Sequence, residues 1–379
     1  MNVYVRELSS ALARAGVECD VYTRADRADL ASVVKVEPGF RVHHITAGPA
    51  STVERHALPG LIPEFTEGVL KALANEPADA LHANYWLSGV AGHAIKHELD
   101  LPLVSTFHTL ARVKADAGDD EPEERVKAEH EVMACSDAVL ANCSVEAAQL
   151  RTLYGVDPDR IEIVAPAVDH AFFAPGDRRQ ARRAITLPED AKIMLFVGRI
   201  QALKGLDVAI AAFAKVRKDA ILVVVGGPSG PAGEAEHARV AQLAEDLGVA
   251  ERIIWREPQP HELLSTYYRA SDVVMVPSRS ESFGLVALEA AACGTPVIAA
   301  AVGGLRTLVE HGRTGFLVEG RDPNVFAAFA GEVLDNEPLA IEMGANAASG
   351  ATKYQWSLSA ARLRRLYSDL TSRALTTCQ

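Results

Sequence analysis

A succession of short apolar runs, alternating with stretches of helical spacing, sets the tightest limit on how this chain can fold. In the first half the runs are Val17–Tyr22, Arg41–Ile45, Ala80–His82, Leu103–Phe107, Ala138–Ala141 and Ile161–Val164, with helical stretches at 60–75, 88–98, 123–135 and 144–153. The second half repeats the theme at Ile193–Val197, Ile221–Val225, Arg252–Trp255, Val273–Val276, Val297–Ala300 and Gly315–Leu317. Apolar runs with no polar alternation read as strands buried on both faces, and their alternation with helices implies a parallel sheet wrapped by helices. The pattern pauses around Pro166–Gly176, and Pro175-Gly176-Asp177 is a turn signal. At 379 residues two domains are the default. The expectation is therefore an α/β chain of two doubly wound domains, 1–168 and 169–355, facing each other across a cleft. The amphipathic stretch Leu358–Leu370, within a helix of about 356–372, is expected to pack back on the first domain.

An α/β domain ordinarily opens on a strand, whereas Met1 to Gly16 carries helical spacing, so the first strand is expected to be missing. A formal net charge of −12 argues against a nucleic-acid surface and requires any anion site to be built from a few local cations. The five cysteines, Cys19, Cys135, Cys143, Cys293 and Cys378, show neither metal spacing nor a disulfide pattern and suit a reducing, cytoplasmic setting. No run is long enough to span a bilayer and no leader pattern opens the chain. The acidic segment Asp116–Glu123 reads as a solvated loop.

The chemistry concentrates after strand ends. Val273–Pro277 is followed by small polar residues, Gly284, and a helical run from Leu285 to about Cys293 that stops at Gly294. Strand, turn and helix of this kind present unpaired amides to an anion. Glu281 precedes the helix and Glu289 lies inside it, about 12 Å apart at a helical rise. Two acceptors flanking an amide cluster suit a ligand with hydroxyls at both ends and phosphate between, as in a nucleotide-sugar. Gly198-Arg199 and Lys204-Gly205 follow another strand, and their two cations can converge on one diphosphate. Val225-Gly226-Gly227-Pro228-Ser229-Gly230 lacks the G-x-G-x-x-G spacing, which rejects a nicotinamide cofactor. In the first half, Asn84-Tyr85-Trp86 and Phe107-His108-Thr109 also end strands, where loops carry function.

Together, Gly198-Arg199, Lys204-Gly205, Glu281-Ser282-Phe283-Gly284, Glu289 and Cys293-Gly294-Thr295-Pro296-Val297 resemble the retaining GT-B glycosyltransferases of family 4. Met1–Val5, His82–Gly89, His108-Thr109-Leu110 and Ala300–Leu305 are similar to the inositol-phosphate N-acetylglucosaminyltransferases of mycothiol biosynthesis, with sucrose-phosphate synthases as more distant relatives. The resemblance implies two Rossmann-like domains, a donor-binding second half and an acceptor-binding first half. Arg199 and Lys204 would hold the donor pyrophosphate, with Gly198 at the strand end, and Glu281 would bind donor sugar hydroxyls. Backbone amides around Ser282, Phe283, Gly284 and Leu285 would help at sugar and phosphate, Glu289 would take the ribose, and Gln259 the uracil loop. Asn2, Arg55, Tyr85, Thr109 and Arg125 match acceptor-phosphate contacts, and His108 would approach the donor sugar near the reacting carbon. Arg55 stands where the family has lysine, and His82-Ala83-Asn84 stands where it often has His-Ser-His. The family also carries a strand and a Gly-Gly loop before the residue matched by Asn2, and this chain starts after both.

The implied activity is retaining transfer of a sugar, N-acetylglucosamine, from a UDP-sugar to a small phosphorylated acceptor, inositol phosphate. No metal or other cofactor is demanded, because the two cations balance the leaving diphosphate. Alternatives are the same fold acting on another acceptor, or a truncated, inactive nucleotide-sugar-binding protein. A UDP-sugar epimerase shares the two-domain plan but fits the Arg199, Lys204, Glu281 and Glu289 set less well. A homodimer is compatible with the sequence.

Overall fold

The computed structural model describes residues 2–377 except 117, 120 and 231, and its chain divides into two compact units. The first comprises residues 1–166 together with 356–379, and the second comprises 167–355.

The first unit begins with α1 (Asn2–Arg14), β1 (Cys19–Arg24), β2 (Val33–Glu37), β3 (Phe40–Ile45) and α2 (Ile62–Asn75). It continues through β4 (Leu81–Asn84), α3 (Trp86–Leu99), β5 (Leu103–Thr106), α4 (Ala111–Asp116) and α5 (Glu123–Cys135). β6 (Ala138–Ala141), α6 (Ser144–Tyr154) and β7 (Ile161–Ile163) complete its first pass. The single wound sheet expected here is instead two sheets, a three-stranded β1-β3-β2 and a parallel four-stranded β4-β5-β6-β7. β2, absent from the sequence expectation, pairs antiparallel with β3 at the sheet edge. Its Val33, Val34 and Val36 are exposed, so it has no buried apolar run to betray it, and Lys35 breaks an otherwise apolar edge.

The second unit holds α7 (Arg178–Ala184), β8 (Lys192–Val197), α8 (Leu206–Phe213), β9 (Ala220–Val225), α9 (Gly233–Asp246) and β10 (Ile253–Arg256). α10 (His261–Ala270), β11 (Val273–Val276), α11 (Leu285–Ala292), β12 (Val297–Ala300) and α12 (Leu305–Leu308) follow. β13 (Gly315–Val318), α13 (Pro323–Asp335) and α14 (Glu337–Ala351) end it. Its six strands are all parallel in the order β10-β9-β8-β11-β12-β13. Met194, Phe196, Leu222, Val224, Met275 and Ile298 of the sheet pack against Ile210 and Phe213 of α8 and Phe326 and Leu334 of α13. Each such side chain contributes roughly 1.5–3 kcal/mol on burial.

The final helix α15 (Trp356–Leu370) belongs to the first unit. Ala360, Leu363 and Leu370, at helical spacing, join Tyr4, Leu8 and Leu12 of α1 in one core. Ser359 Oγ donates to Ala165 O at 2.8 Å, and Tyr367 OH meets His82 Nδ1 at 2.7 Å.

Each unit fastens a central strand through a buried Ser-Asp pair. In the first, Asp137 Oδ2 accepts from Leu103 N at 2.7 Å and from Lys96 Nζ at 2.6 Å. In the second, Asp272 Oδ2 accepts from Ile193 N at 2.7 Å and from Arg182 NH2 at 2.8 Å. Cys19, Cys143 and Cys293 are not in disulfides, whereas Cys135 is disulfide-bonded, a pairing the cysteine spacing did not suggest; Cys378 lies outside the described residues.

Candidate functional site: a loop cradle and an anion cluster

In the second unit the strand order reverses between β8 and β11, and open α/β sheets bind ligands outside the carboxyl ends of strands at such a switch point. Three loops from adjacent strands meet there. The loop after β8 carries Gly198, Arg199 and Lys204, that after β11 carries Glu281 to Gly284, and that after β12 carries Gly303 and Gly304. Arg279 N donates to Leu203 O at 2.8 Å, and Gly304 N to Glu281 O at 3.1 Å, so the loops are stitched together through backbone. The approach is too close for side chains at two points. A Cβ on Gly205, at φ 71°, would lie 2.2 Å from Pro277 O, and one on Gly303, at φ 47°, 1.8 Å from Glu281 O.

Lys204 Nζ donates to Glu281 Oε2 at 2.7 Å, and Ser278 Oγ donates to the same oxygen at 3.3 Å. Arg199 is exposed and has no hydrogen bond or ion pair among the described residues. Gly284 leads into α11, whose first amides have no partner within the helix and face the loop of Ser282 and Phe283. Leu285 opens that helix. Glu289 is buried within α11, where Tyr268 OH donates to Oε2 at 2.7 Å and His261 Nε2 meets Oε1 at 2.8 Å. Each oxygen keeps a further lone pair for another donor. Tyr268 and His261 were not anticipated; they lie two turns apart on one face of α10, a spacing readable only once Glu289 is known to pack there. Gln259 follows β10, and its side-chain amide donates to Glu257 O at 2.8 Å.

In the first unit, Tyr85 directly follows β4 and His108 lies two residues beyond the end of its partner β5, and both adopt positive φ, 81° and 62°. Such backbone strain gathers at functional sites because the surroundings must hold it. His108 Nε2 donates to Asn84 Oδ1 at 2.9 Å, and Tyr4 packs edge-on against its ring at 4.8 Å. Burial pushes the His108 imidazole down to about 3, with His82 nearby adding to the effect, so the ring is neutral. Burial likewise lowers His82 to about 4.

Arg55, Tyr85, Thr109 and Arg125 come together. Arg55 NH2 donates to Tyr85 OH at 2.6 Å, Arg125 NH2 to Thr109 O and Oγ1 at 2.8 and 3.1 Å, and the Arg125 guanidinium lies 5.2 Å from the Tyr85 ring centre. Arg125 is 1% exposed and anchored through Nε to the fully buried Glu129 at 2.8 Å. Asn2, at the start of α1, is exposed and makes no hydrogen bond or ion pair to this group among the described residues. Within the acidic segment expected to be solvated, Asp116, Gly118, Pro122 and Glu123 are exposed, but Asp119 and Glu121 are half-buried. Glu121 draws Arg125 NH1 to 2.9 Å, Arg55 NH2 to 3.4 Å, and Lys114 Nζ into a direct ion pair. Burial works to raise the Glu121 carboxyl, but Lys114 and the two arginines outweigh it and hold it below its usual value. Lys114 and Glu121 were missed because the segment between them is acidic and reads as a solvated loop; of the partners of Glu121 only Arg55 is remote in sequence. Potential metal ligands gather among the described residues at His93, His97 and Cys135 and at Asp20, His43 and Glu76, in neither case on the loops above.

Residues 1–172 match the family model described as Glycosyltransferase Family 4, and residues 177–350 match that described as Glycosyl transferases group 1. A D-inositol 3-phosphate glycosyltransferase of Geodermatophilus obscurus is 47% identical, over 94% of this chain and 82% of its own length. The chain belongs to glycosyltransferase family 4. This glycosyltransferase is also 44% identical to D-inositol 3-phosphate glycosyltransferase 2 of Catenulispora acidiphila, over 97% of its chain and 89% of the relative. Among solved structures, sucrose-phosphate synthase of Thermosynechococcus elongatus superposes with a TM-score of 0.92 at 32% identity, covering 97% of this chain and 93% of that one. The lipopolysaccharide glycosyltransferase WaaG shares the fold at a TM-score of 0.73. The fold class is that of the GT-B glycosyltransferases, with two Rossmann-like α/β units. No helix among the described residues is long and apolar enough to cross a membrane.

Proposed function

We propose that this glycosyltransferase moves N-acetylglucosamine from a UDP-sugar to an inositol phosphate, with retention at the sugar carbon and without a required metal, in the cytoplasm. The observation that carries the acceptor half is the convergence of Arg55, Lys114 and Arg125 on one carboxylate beside Tyr85 and Thr109. A phosphate monoester offers charge of the same sign, about −1.5 to −2 at pH 7, and more acceptor oxygens to those donors. The relatives named for inositol 3-phosphate support the same choice.

On the donor side, Arg199 and Lys204 supply positive charge to the diphosphate and the amides at the start of α11 supply fixed dipoles. Glu281 receives sugar hydroxyls and Glu289 the ribose, using lone pairs that Lys204, Tyr268 and His261 leave open. Attack comes from the face the leaving group departs, so the acceptor hydroxyl gives its proton to a leaving phosphate oxygen. His108, neutral and fixed by Asn84, orients the sugar and takes no proton in this scheme.

The likeness to sucrose-phosphate synthase favours one competing acceptor, fructose 6-phosphate. A UDP-release screen with several UDP-sugars, against inositol phosphate and fructose 6-phosphate, separates the two. The proposal expects release that depends on inositol phosphate with UDP-N-acetylglucosamine. Release driven by fructose 6-phosphate, or by neither acceptor, overturns it.

A further inference from the structure

The anion cluster of the first unit is braced by a fully buried carboxylate, Glu129. Arg125 meets one carboxylate from four residues before it, Glu121, and one from four residues after it, Glu129. The two are held differently. Glu121 is paired with Arg55, Lys114 and Arg125, side chains that an anionic ligand could itself engage. Glu129 is 0% exposed, and its other partners are a backbone amide and a phenol. Its Oε2 accepts from Ala111 N at 3.0 Å and from Tyr154 OH at 2.5 Å, while Oε1 accepts from Arg125 Nε at 2.8 Å.

Tyr154, the last residue of α6, is itself pinned. Its hydroxyl accepts from Arg112 N at 3.2 Å, and the Arg112 guanidinium lies 5.3 Å from its ring centre. Burial, followed by the charge of Glu129, raises the Tyr154 hydroxyl above its usual value, so it stays protonated and donates. The first two amides of α4 thus end on Glu129 and on Tyr154. These bonds close a ring. Glu129 takes Ala111 N, Thr109 two residues earlier takes Arg125 NH2 on its O and Oγ1, and Arg125 Nε returns to Glu129. With Nε and NH2 committed, NH1 is the guanidinium nitrogen left over. It is buried and makes no hydrogen bond among the described residues, only the ion pair with Glu121.

We propose that Glu129, backed by Tyr154, is a positioning residue for the acceptor, locking the Arg125 guanidinium in the orientation that leaves NH1 for the acceptor's phosphate. The inference rests on the reading of this cluster as the phosphate site. Glu129 touches no substrate and acts through Arg125 and the backbone at Thr109. Recognition of phosphate by a guanidinium depends on the plane of the fork, so fixing that plane in advance favours binding. A carboxylate suits the task because two oxygens accept from three groups at once. Glutamine has the same shape but one acceptor oxygen, and its NH2 group would face a donor.

The test measures binding of inositol phosphate to the full chain by isothermal titration, with unphosphorylated inositol as the control ligand. Glu129→Gln is expected to weaken inositol phosphate about tenfold or more, while the KM for the UDP-sugar stays within about twofold. Tyr154→Phe keeps the ring and removes one donor to Glu129, so it should weaken binding severalfold. Arg125→Lys supplies the decisive comparison. It should cost much more binding in the wild-type background than in Glu129→Gln, where the guanidinium is already misaligned. Should Glu129→Gln not fold, Tyr154→Phe serves as the second background. Unchanged affinity in Tyr154→Phe, or equal losses from Arg125→Lys in both backgrounds, overturns this inference and leaves the acceptor reading standing. A wild-type chain that does not bind inositol phosphate overturns the acceptor reading, and this inference with it.

Discussion

Lys204 donates to Glu281 across 2.7 Å, so a cation and a carboxylate assigned to different parts of the donor are partners of each other. The pair spans the loops after β8 and β11, and its side chains are 24% and 18% exposed. It therefore sets the positions of both groups at the switch point of the sheet. Part of its attraction is screened by solvent, and its net stabilisation falls within about 1 kcal/mol. Lys204→Ala leaves Glu281 with Ser278 Oγ at 3.3 Å. The expected outcome is a small change in melting temperature and a fall in turnover of about 10²-fold or more, on the scale of losing one preorganised donor. UDP release and a thermal melt on the same preparation check both halves.

Arg199 offers a sharper separation of stability from activity. It is exposed and has no partner among the described residues, so nothing in the fold depends on its charge. Arg199→Ala should change stability by less than about 0.5 kcal/mol, while most turnover is lost. Near-normal turnover with unchanged donor KM would remove Arg199 from the donor site.

Glu121 holds three cations that a phosphate could otherwise use. Neutralising it raises the local potential without removing a donor that the acceptor needs. Glu121→Gln is expected to tighten binding of inositol phosphate severalfold, with donor KM unchanged. Isothermal titration with the phosphorylated acceptor measures this directly. Weaker binding would instead identify Glu121 as the group that orients Arg125 and Lys114.

The second unit was legible because its strands are continuous apolar runs, as in Val273–Val276 and Ile193–Val197, which only a doubly covered parallel sheet explains. The Arg199 and Lys204 loop and the Glu281 to Glu289 stretch were legible for a related reason, since each lies just after such a strand. Glu121 was not. Its own neighbourhood is acidic, and the cation reaching it from farthest, Arg55, lies 66 positions away in sequence, so local composition pointed to solvent. β2 was hidden for the opposite reason, being an edge strand whose valines stay exposed. Tyr85 and His108 were flagged by their place after strand ends and by the family resemblance, and their strained backbone is visible only in three dimensions.

His108 gives a pH signature. Its folded value of about 3 lies below the unfolded reference of about 6.5, so folding favours the neutral ring. The stability this contributes is fully present above about pH 6.5 and is lost as pH falls toward 3. In a proton NMR titration the His108 ring resonances should stay flat from pH 8 to 5 while exposed histidines titrate. A midpoint near 6.5 for His108 would show that the ring is solvated and free to exchange protons.

The final prediction concerns the buried Ser-Asp pairs that recur in the two units. Asp272 accepts from Arg178 NH1 at 2.9 Å, Arg182 NH2 at 2.8 Å and Ile193 N at 2.7 Å, and it is almost wholly buried, as is Arg182. Removing one partner of such a pair leaves an uncompensated charge and an unpaired backbone amide at the start of β8. Asp272→Ala should destabilise the second unit by about 3–5 kcal/mol. The double change Arg182→Met with Asp272→Ala should recover part of that loss, because the stranded guanidinium is gone. Lys96 and Asp137 predict the same pattern in the first unit, where Asp137 accepts from Leu103 N. Denaturant unfolding of the single and double variants measures the coupling, and strictly additive losses would show that neither carboxylate is energetically coupled to its cation.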